Sequence, residues 1–331
     1  LINTLDAPPY TIDPDVLAPF DERQTVFARR YWDQQAPFYG QNIHERAAEV
    51  VGRGQPGYSR VEFARTRAAW TVHDHFRGAY SWEALGDSER ATYEFDRHPV
   101  VDPAAMSVQV KETAHAYGAD LVGITRLDRR WVYTHNRAGH PIQIPDGIES
   151  AIVMAIKMDA RRILASPSFE ASTATGVGYS RMAFSIACLA EFLRNLGYRA
   201  LPMGNDTALS IPLAIDAGLG ELGRNGLLIT PSCGPCVRLC KVFTDLPLEP
   251  DPPISFGVAE TCHECRRCAE ACEVEAISFD PKPSFRITCP SNNRGIRRWA
   301  VNHDRCYSFW VQNGASCSTC IAACPYTRRA L

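Results

Sequence analysis

The chain has 331 residues, 45% of them hydrophobic, and 37 acidic against 35 basic side chains leave a net charge of −2. That length suggests about two domains of ordinary size, the near-neutral balance offers no basic surface for nucleic acid, and no run of about 18 apolar residues is present to span a membrane. No signal peptide or twin-arginine motif opens the sequence, which begins at Leu1 and not at Met, so an upstream segment is expected to have been removed or replaced.

Residues 1–105 form an N-terminal region rich in proline, arginine and aromatics (Trp32, Phe38, Tyr39, Trp70, Phe76, Tyr80, Trp82) with little periodicity. Short helices wrapped over another domain read this way, with most of the aromatics used in packing. Residues 106–250 have an α/β texture. A helix is predicted over 108–117, closed by Gly118. Apolar, β-branched runs at 121–125 and 151–158 predict buried strands. Met182, Ile186, Leu189 and Leu193 give helical spacing over 180–196, stopped by Gly197, and strands are predicted again at 227–230 and 237–244. Strands alternating with helices argue a layered α/β or α+β core. No G-x-G-x-x-G follows a predicted strand, so a nicotinamide or flavin Rossmann site has little support, and Gly176-Val177-Gly178 is a short glycine cluster of low specificity. Four prolines within 247–253 mark a boundary, and 251–331 make the third region.

That third region holds most of the thirteen cysteines. Cys262, Cys265, Cys268 and Cys272 are spaced C-x2-C-x2-C-x3-C, and Cys306 precedes Cys317, Cys320 and Cys324, the last followed by Pro325. In bacterial ferredoxins this spacing holds two 4Fe-4S clusters, the fourth cysteine of each run crossing to the other cluster. One cluster is therefore expected on Cys262, Cys265, Cys268 and Cys324, its neighbour on Cys272, Cys306, Cys317 and Cys320, in a ferredoxin-like domain. Disulfides suit small secreted scaffolds rather than a chain of this size, and zinc sites separate their C-x2-C pairs by a spacer. The residue after Cys272 is Glu273 where the ferredoxin run has proline. A further C-x2-C-x3-C string, Cys233, Cys236 and Cys240, reads either as a third metal site or, preferably, as three buried thiols on a strand. Cys188 and Cys289 read as non-ligands.

Longer strings carry a resemblance. Gly178-Tyr179-Ser180-Arg181-Met182-Ala183, Gly204-Asn205-Asp206-Thr207-Ala208-Leu209-Ser210-Ile211-Pro212, Ala217-Gly218-Leu219-Gly220-Glu221-Leu222-Gly223-Arg224-Asn225-Gly226 and Val237-Arg238-Leu239-Cys240-Lys241, together with both cysteine runs, resemble the reductive dehalogenases over residues 106–325. The related epoxyqueuosine reductases resemble the chain less around Asn205 and Arg238. The resemblance implies a nitroreductase-like core holding a cobamide base-off, without a protein ligand to cobalt. Met182, Asn205, Thr207, Leu209, Gly226, Leu228 and Ile229 are nominated by position to line it. It further implies replacement of a carbon-bound halogen by hydrogen, with Co(I) cobamide fed by the two clusters. Tyr179 is the implied proton donor, Arg238 its partner and Asn205 a neighbour of the substrate. A phenol donates weakly unless the anion it leaves is stabilised, and an always-charged guanidinium beside it supplies that. Implied partners are an organohalide, a low-potential electron donor and a small membrane anchor protein. Location at the outer face of the cytoplasmic membrane is expected, with a cytoplasmic form as the alternative. The N-terminal region would shape the substrate pocket, and family members run on for tens of residues beyond the counterpart of Cys324. Two other readings compete: an epoxyqueuosine-reductase-like corrinoid enzyme, and an electron carrier that has lost its corrinoid.

Overall fold

The computed structural model describes residues 1–82 and 97–331; the remaining part of the expected N-terminal region, 83–96, lies outside the described residues. The weak periodicity before residue 82 translates into short pieces. They are β1 (Asn3–Thr4), α1 (Val26–Trp32), α2 (Ala47–Gly52), α3 (Arg60–Ala69), α4 (Thr71–His75) and α5 (Arg77–Tyr80). Helices this short are not stable by themselves, and each gains its place by docking. Arg29 of α1 is buried, with ion pairs to Asp33 on one side and Asp304 on the other, at 2.7 and 2.6 Å. Phe38 sits edge-on to Tyr307 at 4.9 Å. Ser59 and Glu62 close α3 with a capping box.

The centre of the fold follows from an apolar run with no polar face. After α6 (Pro103–Ala116) and β2 (Leu121–Arg126), the strand β3 (Ser150–Lys157) is buried along nearly its whole length. It can only lie inside a sheet covered on both sides. The short helix α7 (Ala160–Ile163) leads into α8 (Phe169–Asn195), a helix of 27 residues, about 40 Å long at 1.5 Å per residue. Next come β4 (Ala200–Met203), α9 (Ser210–Asp216), the two-stranded hairpin β5 (Glu221–Leu222) and β6 (Leu228–Ile229), and β7 (Val237–Thr244). Four strands make one sheet in the order β2-β3-β7-β4, every pair antiparallel. Of the two fold readings, α+β describes this sheet. Side chains alternate across β7: Cys240 and Val242 join the core beneath α8, while Phe243 joins the core beneath α9.

Two predicted helices start earlier than expected. Helix α6 begins at Pro103 behind an Asp102 cap, and α8 begins eleven residues before position 180. Seven of the eleven residues 169–179 are Ala, Ser, Thr or Gly, which carry little apolar periodicity, yet most of the segment is buried.

Beyond the irregular proline-rich stretch, β8 (Ile254–Ser255) pairs with β1. Then α10 (Val258–Glu264), α11 (Arg267–Glu270), α12 (His303–Asn313) and α13 (Thr319–Ala322) carry the cysteine runs. No helix among the described residues is long and apolar enough to cross a membrane.

Candidate functional site

Tyr179, Asn205 and Arg238 come together from three separate elements. Tyr179 is on α8, Arg238 is near the start of β7 opposite Ile156 of β3, and Asn205 is exposed on the loop between β4 and α9. The Asn205 amide donates to the Tyr179 hydroxyl at 2.6 Å, and the Arg238 guanidinium stands 5.1 Å from the centroid of the Tyr179 ring. The cation therefore addresses the π face of the ring. Its hydrogen bonds go to the Met158 sulfur and the Thr175 hydroxyl, each at 3.2 Å. Trp70 stacks on the same ring at 4.7 Å with planes 25° apart, and His73 meets it edge-on at 5.1 Å. Ser180 ties this corner down by donating to the Ala69 carbonyl at 2.7 Å.

The glycine pair 176 and 178 makes the arrangement possible. A Cβ on Gly176 would stand 2.7 Å from Trp70 Cδ1 and Nε1, and one on Gly178 would stand 3.1 Å from Arg238 Cγ. Bare backbone at both places lets an indole and a guanidinium close on the phenol between them.

Lys241 is a residue that sequence reasoning passed over. It is fully buried, on the face of β7 toward α9, and its ammonium donates to the carbonyls of Gly204 (2.7 Å) and Asp206 (3.2 Å) and to Ser210 Oγ (3.1 Å). Burial lowers its pKa to about 8. The lysine thus gathers the loop that presents Asn205. Within that loop Thr207 has φ +69°, rare for a β-branched residue, and its hydroxyl accepts a hydrogen bond from Trp82 Nε1 at 3.0 Å. Trp70 and Trp82, read as packing aromatics, both belong to this site.

The other nominated residues divide. Met182 is enclosed in the core below α8. Leu209 and Leu228 share the core below α9. Gly226 turns the β5–β6 hairpin against Val301, and Ile229 packs with Val258 and Tyr326. Of the seven, Asn205 is exposed, Leu209 and Gly226 are half-buried, and the rest are buried.

The eight cysteines of the two runs fall into two groups. Cys262, Cys265, Cys268 and Cys324 line one cavity together with Arg224, Asn225 and Ile229. Burial and then the charges of Cys262, Cys324 and Cys265 push the Cys268 thiol up to about 12. Cys306 is likewise pushed up to about 12, by burial and by Cys317 and Cys272, and Cys320 is raised by burial and by Cys306, Cys317, Cys268 and Cys272. Thiols so buried and so crowded become thiolates only when metal takes the place of their protons. Among the described residues no three His, Cys, Asp or Glu side chains close on a point as a single ion requires, and all thirteen cysteines are free of disulfides. The buried amide Nδ2 of Asn225, beside the cavity, has no hydrogen-bond partner. A cavity walled by four thiols and edged by an orphaned donor fits a sulfide-bearing cluster. Cys233 and Cys236 are buried with Met158 and Ile321, whereas Cys240 lies in the core under α8. The three do not converge, and burial pushes Cys236 up to about 12.

Residues 261–327 match the model of the 4Fe-4S dicluster domain. A tetrachloroethene reductive dehalogenase of Desulfitobacterium hafniense is 37% identical over 76% of this chain and 53% of its own length, so the chain spans about half of that relative. A solved reductive dehalogenase, from work on B12-dependent dehalogenation, superposes over 99% of this chain and 44% of its own with a TM-score of 0.76 at 24% identity, which shows the fold. The tetrachloroethene reductive dehalogenase of Sulfurospirillum multivorans is 31% identical over 95% of this chain and 72% of its own length. With its sheet, its cysteine pattern and this extent of shared sequence, the chain belongs to the reductive dehalogenase family.

Proposed function

We propose that the chain replaces a carbon-bound halogen of an organohalide by hydrogen, consuming two electrons and one proton and releasing halide. The observation that carries this reading is the phenol of Tyr179 held between the Asn205 amide at 2.6 Å and the Arg238 guanidinium at 5.1 Å. Tyr179 supplies the proton to carbon. Arg238, fixed by Met158 and Thr175, favours the anion left behind, and Asn205 orients the hydroxyl while reaching the open side of the loop. Trp70 covers one ring face and keeps water from it. Lys241 holds the loop in register.

None of these side chains carries electrons, so a redox group has to stand between them and the clusters. A base-off cobamide would supply a strongly reducing cobalt there, in a nitroreductase-like core; the dehalogenation studied in the solved relative is B12-dependent. The exposed Asn205 amide, bonded to the Tyr179 hydroxyl, supports a place for the cobamide on the open side of that loop. Cys262, Cys265, Cys268 and Cys324 hold one 4Fe-4S cluster, and Cys272, Cys306, Cys317 and Cys320 the other. Electrons come from a low-potential donor. Attachment to a membrane would be peripheral, through a small anchor protein.

The test is reconstitution of the full chain with iron, sulfide and cobamide, followed by halide release from a panel of organohalides. Tyr179→Phe is expected to abolish turnover while about eight iron and one cobalt per chain remain, two four-iron clusters being present. Retained turnover in that variant would sink the assignment.

A further inference from the structure

The turn of the β5–β6 hairpin carries two polar residues that the phenol site does not use. Arg224 is 1% exposed. Its guanidinium donates to the carbonyls of Cys262 (3.0 and 2.8 Å), His263 (3.4 Å), Ser278 (2.9 Å) and Asp280 (3.0 Å), and it stands 4.6 Å over the ring of Trp299. All of these acceptors are neutral. A buried cation without a counter-charge is strongly disfavoured, so the anion that balances it has to be sought nearby. The Arg224 main-chain N–H points at Cys262 Sγ, 3.4 Å away.

Next to it, Asn225 is 7% exposed. Its Oδ1 accepts from the Leu227 N–H at 3.2 Å, which fixes the orientation of the amide, and its Nδ2 is left without a partner. Both residues line the cavity walled by Cys262, Cys265, Cys268 and Cys324. Two other charged groups face this region. Glu221 is buried on the same hairpin and accepts from the main-chain N–H groups of Phe256 and Val258; Arg266 lies close enough to be felt by Arg224.

We propose that Arg224 and Asn225 raise the reduction potential of the cluster on Cys262, Cys265, Cys268 and Cys324, Arg224 by its fixed charge and main-chain N–H, Asn225 by donating Nδ2 to a cluster sulfur. When the cluster gains one electron its net charge becomes more negative by one, and a fixed cation with two donors to sulfur favours that form. The hairpin bears on α9, so the better-stabilised electron rests on the cluster that is packed against the sheet domain. The inference rests on the ligand assignment proposed above.

Redox titration of the reconstituted full chain, followed by electron paramagnetic resonance, tests it without any corrinoid. The wild type is expected to hold two clusters that reduce in two one-electron steps; a single cluster would overturn the ligand assignment and this proposal together. Arg224→Gln is expected to weaken reduction at one step by tenfold or more, a shift of about 59 mV to more negative potential. Asn225→Ala should move the same step the same way by less, and Arg224→Lys should restore most of it. If Arg224→Gln loses that cluster while Arg224→Lys keeps it, the charge is again what matters. Both steps unmoved in Arg224→Gln and Asn225→Ala, a shift in Arg224→Lys as large as in Arg224→Gln, or loss of the cluster in both Arg224 variants would overturn the proposal.

Discussion

Gly176→Ala separates the geometry of the phenol site from the stability of the protein. The new methyl would stand 2.7 Å from two ring atoms of Trp70 and 3.0 Å from Ala69 Cβ, against about 3.5–4.0 Å for an ordinary carbon contact. A rigid indole has to retreat by about 1 Å. Overpacking of that kind destabilises by about 1–3 kcal/mol, while alanine in a helix interior is worth about 1 kcal/mol over glycine. The variant therefore folds, with a net loss of about 0–2 kcal/mol and a melting temperature within a few degrees of the wild type. Its site is less fortunate. The Trp70–Tyr179 stack, at 4.7 Å and 25°, cannot survive the shift, and a displacement of about 1 Å near reacting groups costs up to about a hundredfold in rate. Halide release by the reconstituted protein should fall about tenfold to a hundredfold beside a nearly unchanged melt. Trp70→Ala should itself slow turnover, and adding Gly176→Ala to it should do little more, because the clash has lost its partner. Gly178→Ala meets the flexible stem of Arg238 at 3.1 Å and should cost less. Wild-type turnover in Gly176→Ala, or an equal loss with and without Trp70, would refute the reasoning.

The buried carboxyl of Asp216 accepts from the Tyr10 hydroxyl at 2.7 Å and Trp131 Nε1 at 3.2 Å, and burial raises its pKa from 3.8 to about 6. The folded state keeps this proton longer than the unfolded one, so the group's contribution is full below pH 3.8 and lost as the pH rises through about 6, a change of about 3 kcal/mol. Asp216→Asn should flatten that slope, leaving a protein about 1–3 kcal/mol more stable than wild type at pH 7.5 and no more stable at pH 4, read by thermal melts; an equal effect at both pH values would contradict it. For the exchanged cysteines, Cys272→Ser should reproduce the iron loss and resonance spectrum of Cys317→Ser, and Cys324→Ser those of Cys262→Ser. A match of Cys272→Ser to Cys262→Ser would rule out the crossing.

Strands buried on both faces announce themselves by unbroken apolar runs. Strand β3 is legible that way to within a residue at each end, and β7 is legible from its β-branched and apolar residues although Arg238 and Lys241 interrupt them. The first eleven residues of α8 are not, because a helix that buries Ala, Ser, Thr and Gly against close neighbours has no apolar stripe to display. The same small residues hid part of the site. Gly176 and Gly178 matter through what they leave out, and only the positions of Trp70 and Arg238 show it. Lys241 sits in a strand where alternation would place it on a solvated face; its partners are main-chain oxygens of a distant loop, which no spacing rule locates. Tyr179, Asn205 and Arg238 came from resemblance and not from pattern, since each alone is an ordinary residue of its element. The cysteines are the opposite case, because their chemistry requires a fixed spacing along the chain.

Several of the first forty residues find their partners at the far end of the sequence: Asn3 and Thr4 against Ser255 and Ile254, Ile12 against Ile296, Arg29 on Asp304 and Phe38 on Tyr307. The Arg29 bond alone closes a loop of 275 residues. During synthesis Tyr10 and Glu22 can dock on Asp216 and Arg137 as soon as those residues emerge, whereas Arg29 and Phe38 must wait for α12 to leave the ribosome, so the wrapping is laid down in two stages, its contacts to α12 later than those to the sheet domain.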